Sequence, residues 1–263
     1  MSRFKKRIVI KVGSNVLTNS NNKIVRTVLD NIVRQIAYLY EHDIIAVLVS
    51  SGAAIAGKEV LGEIDEKDSN TRRQIFCSVG QPRLMTHYYQ MFNKYGLNCA
   101  QVLATKNDFS VGEQRENTVN CYEGLFNQGI IPVANEDDTI SLSMTTFTDN
   151  DELASLIAFL VDADMMILLT DMDGLFDGHP EEEDSTLVQQ VSVNQNVEKF
   201  IQASTKKEGE GRGGMESKVK VAKDAARKNI PTVIANGKKE NTIIDLVINN
   251  ESVGTEFVKR RKK

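Results

Sequence analysis

Cysteine is scarce in this chain: Cys77, Cys99 and Cys121 are the three among 263 residues. They are odd in number and widely spaced, with no Cys-x-x-Cys, which excludes a disulfide framework and offers no zinc spacing. A reducing compartment is expected. Histidine is equally sparse, and His42, His87 and His179 fall outside every motif described below, so nothing points to an imidazole base. Long apolar runs are missing. Ile44 to Val49 is far short of the ~20 residues of a membrane helix, and Ile8 to Ile10 behind the basic start is too short for a signal peptide. There is no basic excess either: a net charge of -4 argues against general nucleic-acid binding, and Arg3 to Arg7 and Lys259 to Lys263 read as solvated tails. No membrane partner and a cytoplasmic location are expected.

What is present is an ordinary globular composition, 41% hydrophobic and 26% charged. The helix-strand alternation runs almost to the end without a composition shift, so 1–263 is expected to be a single domain. The stretch Arg7 to Ser14 organises it. Ile8, Val9, Ile10 and Val12 form a β-branched run ended by Gly13, the pattern of a strand buried on both faces of a parallel sheet. Lys11 interrupts that run, and on the strand alone two readings stand: the lysine snorkels to water, or it reaches an anion beside the Gly13-Ser14 turn. Val25 to Tyr40 carries one apolar helical face, and Ile44 to Val49 is a second buried strand. Strand, helix, strand in that order gives a right-handed βαβ unit, and ligands of such sheets bind at the carboxyl ends of the strands.

Further along, Ala53 to Leu61 is expected to be a helix, and Ser69 to Tyr95 is helical with a break at Gly80-Gln81-Pro82. Leu97 to Ala104 and Ile130 to Ala134 read as strands around a helix from Glu113 to Asn127. The second strand is followed by Asn135-Glu136-Asp137-Asp138, which is either an acidic turn or a grip for a cation or ammonium group. Thr139 to Phe147 has the look of a hairpin or flap, and Asp149 with Glu152 has capping spacing for the next helix. Strand Met165 to Leu169 ends in Thr170-Asp171, and a second hairpin is expected from Met172. Four glycines between Gly209 and Gly214 precede a helix from Met215, which is either a mobile connection or a phosphate cradle. Neither a Walker A loop nor a Gly-x-Gly-x-x-Gly fingerprint is present.

Lys11-Val12-Gly13-Ser14, Ser50-Ser51-Gly52-Ala53, Asn135 to Asp138, Asp149-Asn150-Asp151, Thr170-Asp171 and Gly213-Gly214-Met215-Glu216-Ser217-Lys218 occur in the order seen in amino-acid kinases. Over nearly its whole length the chain resembles that family, and most of all the members that phosphorylate glutamate. The resemblance implies an α/β fold, an αβα sandwich around a mainly parallel sheet. It implies Lys11 and Lys218 bracketing the transferred phosphoryl, with Asp151 orienting the lysines or the metal shell. It places ATP on Lys11, Thr170, Asp171, Arg212, Gly213, Gly214, Met215, Glu216, Ser217 and Lys218, and L-glutamate on Ser51, Asp138 and Asn150. Mg²⁺ would be bound mainly through the ATP phosphates, with no protein metal site. Inhibition by proline and a homodimer or tetramer are also implied.

Three departures from the family pattern stand out: Arg212 in place of Thr, Ser217 in place of Thr, and Thr148 in place of Gly. The carboxy-terminal PUA domain of many relatives is expected to be absent. Sister kinases of the same fold, acting on acetylglutamate, aspartate, carbamate or UMP, form the alternative. The acidic Asn135 to Asp138 segment suits a free α-ammonium better than an acetyl or phosphate group.

Overall fold

The computed structural model describes residues 4–140, 147–179, 182, 184–204 and 214–259. In chain order its elements are β1 (Lys6–Val12), α1 (Ser14–Leu17), α2 (Arg26–Glu41), β2 (Ile44–Ser50), α3 (Ala53–Leu61) and α4 (Ser69–Asn93). They continue as β3 (Cys99–Ala104), α5 (Glu113–Asn127), β4 (Ile131–Glu136), α6 (Asn150–Leu160), β5 (Met165–Thr170) and β6 (Gln190–Ser192). The last are α7 (Glu198–Ser204), α8 (Met215–Arg227), β7 (Thr232–Asn236), α9 (Thr242–Ile244) and β8 (Gly254–Val258).

The strands make one eight-stranded sheet in the order β3-β4-β2-β1-β5-β7-β8-β6. All pairings are parallel except β7 with β8, which is antiparallel. Two sets of mutually contacting helices cover it, one built from α2, α3, α4 and α9 and the other from α6 and α8. This is the αβα sandwich that the family resemblance implies, around the mainly parallel sheet that the strand-helix-strand pattern predicts.

β1 is central because its residues tolerate cover on both faces. Ile8, Val9, Ile10 and Val12 are all buried, each contributing ~1.5–3 kcal/mol by leaving water. The strand order turns about this strand: β2 lies on one side and β5 on the other, both parallel to it, with Val12 opposite both Ser50 and Leu169. The carboxyl ends of β1, β2, β4 and β5 therefore open onto one edge, and ligands of open α/β sheets bind at such an edge.

The break expected at Gly80-Gln81-Pro82 does not occur: α4 runs unbroken through Pro82. The proline removes one helical hydrogen bond, at a cost of ~3 kcal/mol. Against that, Phe76, Leu84, Met85, Tyr88, Met91 and Phe92 are buried along the same helix, at ~1.5–3 kcal/mol each. Gly80 has a packing reason instead. A Cβ there would lie 1.8 Å from the Ala53 carbonyl oxygen, so this glycine sets how closely α3 and α4 approach.

A second difference concerns Asn135 and Glu136, which are the buried last residues of β4 rather than part of a turn; the turn begins at Asp137. Pairing with β3 extends the strand, with Asn135 opposite Leu103 and Glu136 opposite Ala104. The hairpin from Met172 is reduced to an isolated antiparallel bridge between Phe176 and Leu187. The expected flap falls largely on 141–146, outside the described residues.

Candidate active site

Four strand ends and four helix starts converge on a cleft of ≈ 330 Å³. Its floor comes from β1. Lys11 points off a central strand yet is buried, which solvation alone would forbid. Its partner is Asp151, in the first turn of α6. Lys11 Nζ lies 2.7 Å from Asp151 Oδ1, and Lys218 Nζ, from the first turn of α8, lies 3.0 Å from Asp151 Oδ2. One carboxylate thus holds two ammonium groups side by side. Of the two readings for Lys11, snorkelling is excluded.

The electrostatics follow from burial. Desolvation would push the Asp151 carboxyl up, but the two lysines outweigh it and hold the group below the usual carboxylate range. Burial also lowers the Lys11 ammonium from its ordinary value, with Asp151 opposing and Lys218 adding to the depression. Both lysines line the cleft, whereas Asp151 is fully buried and does not. It lies beneath the floor, paired with both ammonium groups.

Local chemistry fixes the start of α6. Asp149 is its N-cap, accepting from the amides of Asp151 at 2.9 Å and Glu152 at 3.1 Å, while Glu152 accepts from the Thr148 amide at 2.8 Å. The hydroxyl of Ser217 donates to the other Asp149 oxygen, tying α6 to α8. Ser217 thus serves the scaffold in this arrangement.

Opposite the lysines runs a chain of amides and hydroxyls. Asn150 Nδ2 donates to Ser51 Oγ at 3.0 Å and Asn135 Oδ1 at 2.9 Å, and Asn135 Nδ2 donates to Gln81 Oε1 at 2.9 Å. Ser50 Oγ is 2.7 Å from the Tyr88 hydroxyl. Ser51 follows β2 and precedes Gly52, whose φ of +107° disfavours a side chain and turns the chain into α3.

Beside this network Asp138 Oδ1 accepts from Arg73 Nε at 2.8 Å and lies 2.7 Å from Arg73 Nη2. Cys77 is hydrogen-bonded to the same aspartate, and burial, with Asp138 adding to it, pushes its thiol far up, so it stays protonated. Arg73, Cys77 and Gln81 are spaced by four along α4, on one face of the helix. None of the three was visible as a site residue in the sequence. The one available signal was the i, i+4 recurrence of polar groups on a helix with an apolar face.

Thr170 and Asp171 at the end of β5, together with Gly214, Met215 and Lys218, make the remaining wall. Glu216 is exposed and outside the lining, since a helix beginning at Met215 turns Met215 and Lys218 inward and the intervening residue away. Arg212 and Gly213 lie outside the described residues. Among the described residues, no group of three or more His, Cys, Asp or Glu side chains is assembled to hold a metal ion, and no helix is long and apolar enough to cross a membrane.

Comparison with known proteins gives a consistent picture. The model of the amino acid kinase family matches residues 6–236. A glutamate 5-kinase of Bacteroides thetaiotaomicron is 38% identical over 253 residues, covering 96% of this chain and 70% of the relative. One from Alkaliphilus metalliredigens is 40% identical over 248 residues, covering 94% of this chain and 93% of the relative. Among solved structures, the carbamate kinase of Giardia lamblia bound to AMP-PNP superposes with a TM-score of 0.66 over 97% of this chain and 99% of that one. At 16% identity it speaks for the fold alone.

Proposed function

The chain belongs to the amino acid kinase family, and from that premise we propose that it transfers the γ-phosphoryl group of ATP to the side-chain carboxylate of L-glutamate, the first step of proline biosynthesis. The observation that carries the reading is the pair of buried ammonium groups held on Asp151 in a cleft also lined by Ser51, Asn135, Asp138 and Asn150.

The acceptor needs no base. A glutamate side-chain carboxyl, with a reference pKa of about 4.3, is already ionised at neutral pH. A carboxylate oxygen bonds to the γ-phosphorus as the bond to the β,γ-bridging oxygen breaks, releasing ADP and leaving an acyl phosphate. Catalysis is then alignment and charge neutralisation. Lys11 and Lys218 meet the charge on the transferring group, and Asp151 fixes their spacing without touching substrate. Thr170, Asp171, Gly214, Met215 and Lys218, with Arg212 and Gly213, form the nucleotide side. Ser51, Asp138 and Asn150 form the glutamate side. Mg²⁺, brought in with the ATP phosphates, would supply further charge neutralisation there.

Proline shares the α-ammonium and α-carboxylate of glutamate, which supports its competing for the same wall. A homodimer or tetramer completes the proposal and is read by sedimentation. The test of substrate is ADP release from ATP with L-glutamate, N-acetyl-L-glutamate, L-aspartate, carbamate and UMP offered separately. Selective turnover of L-glutamate is expected. Turnover of another acceptor in its place would overturn the reading.

A further inference from the structure

Glutamate brings two charges to the far end of the cleft, an α-ammonium and an α-carboxylate. An acidic wall can answer only the first. Near Asp138 stands a second carboxylate, Glu136, with Oε1 accepting from the Phe147 amide at 3.0 Å and Oε2 3.9 Å from Arg73 Nη2. Two carboxylates without a cation would repel the α-carboxylate as strongly as they attract the ammonium.

Three cationic side chains line the cleft among the described residues: Lys11, Lys218 and Arg73. The first two are held on Asp151. Arg73 alone sits at the opposite end. Its Nε and Nη2 are both directed at one oxygen of Asp138, and the side chain remains 40% exposed where it borders the cleft. A guanidinium carries five N–H donors in a flat fork, so this pairing leaves donors on Nη1 for a second anion.

We propose that Arg73 is the specificity-determining residue that receives the α-carboxylate of the amino-acid substrate, with Asp138 holding its guanidinium in place and taking the α-ammonium. The inference rests on the reading of this cleft as a glutamate site. The Arg73–Asp138 pair is then a receptor for a zwitterion, one charge for each charge of the ligand. An acid lacking either α-group leaves one member of the pair unanswered. Cys77, protonated and hydrogen-bonded to Asp138 from the next turn of α4, helps fix the aspartate's orientation.

The test couples a residue to a ligand group. KM and kcat are measured for L-glutamate and for L-glutamate α-amide, which keeps the ammonium and the side-chain carboxylate but neutralises the α-carboxylate. Native protein, Arg73→Gln, Arg73→Lys and Asp138→Asn are compared, each with its melting temperature. Charge-assisted contacts of this kind correspond to ~10- to 150-fold in affinity, so the native KM for the amide should exceed that for glutamate by about that factor. In Arg73→Gln the glutamate KM should rise by a similar ~10- to 150-fold while the amide KM moves by less than about threefold, so the two converge. Arg73→Lys keeps the charge without the fork and should give an intermediate ratio. Should Arg73→Gln fail to fold, the ratio in Arg73→Lys decides. Asp138→Asn should weaken glutamate and amide alike, because both carry the ammonium. The KM for ATP should hold steady throughout.

A merely structural Arg73 would weaken both ligands equally and preserve the native ratio, and that result would overturn the assignment while leaving the glutamate reading intact. Absence of any turnover of L-glutamate by the native protein would overturn both.

Discussion

Asp151 joins two helix starts and a central strand through two ammonium groups, and removing it leaves two buried cations facing one another. Breaking a buried pair on one side costs ~3–5 kcal/mol, so Asp151→Asn should lower the unfolding free energy by about that much at neutral pH. The pH dependence has a defined sign. The folded carboxyl titrates below its unfolded value of about 3.9, so the unfolded state binds more protons between those two values. Its contribution is complete above roughly pH 4 and is lost as pH falls through the lower, folded value. The stability gap between native protein and Asp151→Asn, followed by denaturant melts from pH 7 down to acid, should therefore narrow only in that acidic window. A gap that does not change with pH would contradict the geometry. For the lysines the prediction is kinetic: Lys11→Ala and Lys218→Ala should each lower kcat by ~100- to 1000-fold with the fold intact by circular dichroism. Near-native kcat in either variant would remove that lysine from the chemistry.

At the level of elements, α4 is the piece that sequence reading under-described. Its partners in the cleft lie far away along the chain: Arg73 meets Asp138 across 65 residues and Gln81 meets Asn135 across 54. A polar residue every fourth position on a helix is also what a solvated face looks like, so the stripe carries no local mark. Gly80 and Pro82 read as a break because propensity is local, whereas the close approach to α3 and the six buried side chains are not. By contrast, β1, β2 and β5 were legible because buried parallel strands are continuous β-branched or aliphatic runs. The three-residue edge strand β6 was not, being too short to show a period. The account of α4 is testable with two glycines. Gly80→Ala should destabilise by ~1–3 kcal/mol and lower activity, because the added methyl meets the backbone that leads out of the Ser51-Gly52 turn. Gly124→Ala, on α5 with open space around it, should be neutral or stabilise by up to ~1 kcal/mol. Equal melting temperatures for the two variants would show that α3 and α4 have room to spare.

Across the whole molecule, the sheet order brings segments from residue 11 to residue 218 onto one edge and sorts them into two sides. The β5 end and the start of α8 face the nucleotide in this account, and β2, α4, β4 and the start of α6 face the acceptor. Substitutions should sort the same way. Arg212→Thr should raise KM for ATP several-fold and leave KM for glutamate unchanged; unaltered ATP kinetics would mean that this side chain does not meet the phosphates. The division is the one that the family resemblance implies. Which donors are already engaged within the protein was not: Asn150 spends its amide on Ser51 and Asn135, and Asp138 is already held by Arg73.

The central claim is that a side-chain carboxylate is phosphorylated between the two lysines, and trapping the product tests it most directly. With ATP, Mg²⁺, L-glutamate and hydroxylamine, the account predicts an ATP-dependent hydroxamate on the side-chain carboxyl of glutamate, formed by native protein and reduced ~100-fold or more in Lys218→Ala. No hydroxamate from glutamate, or a hydroxamate on the α-carboxyl, would contradict it.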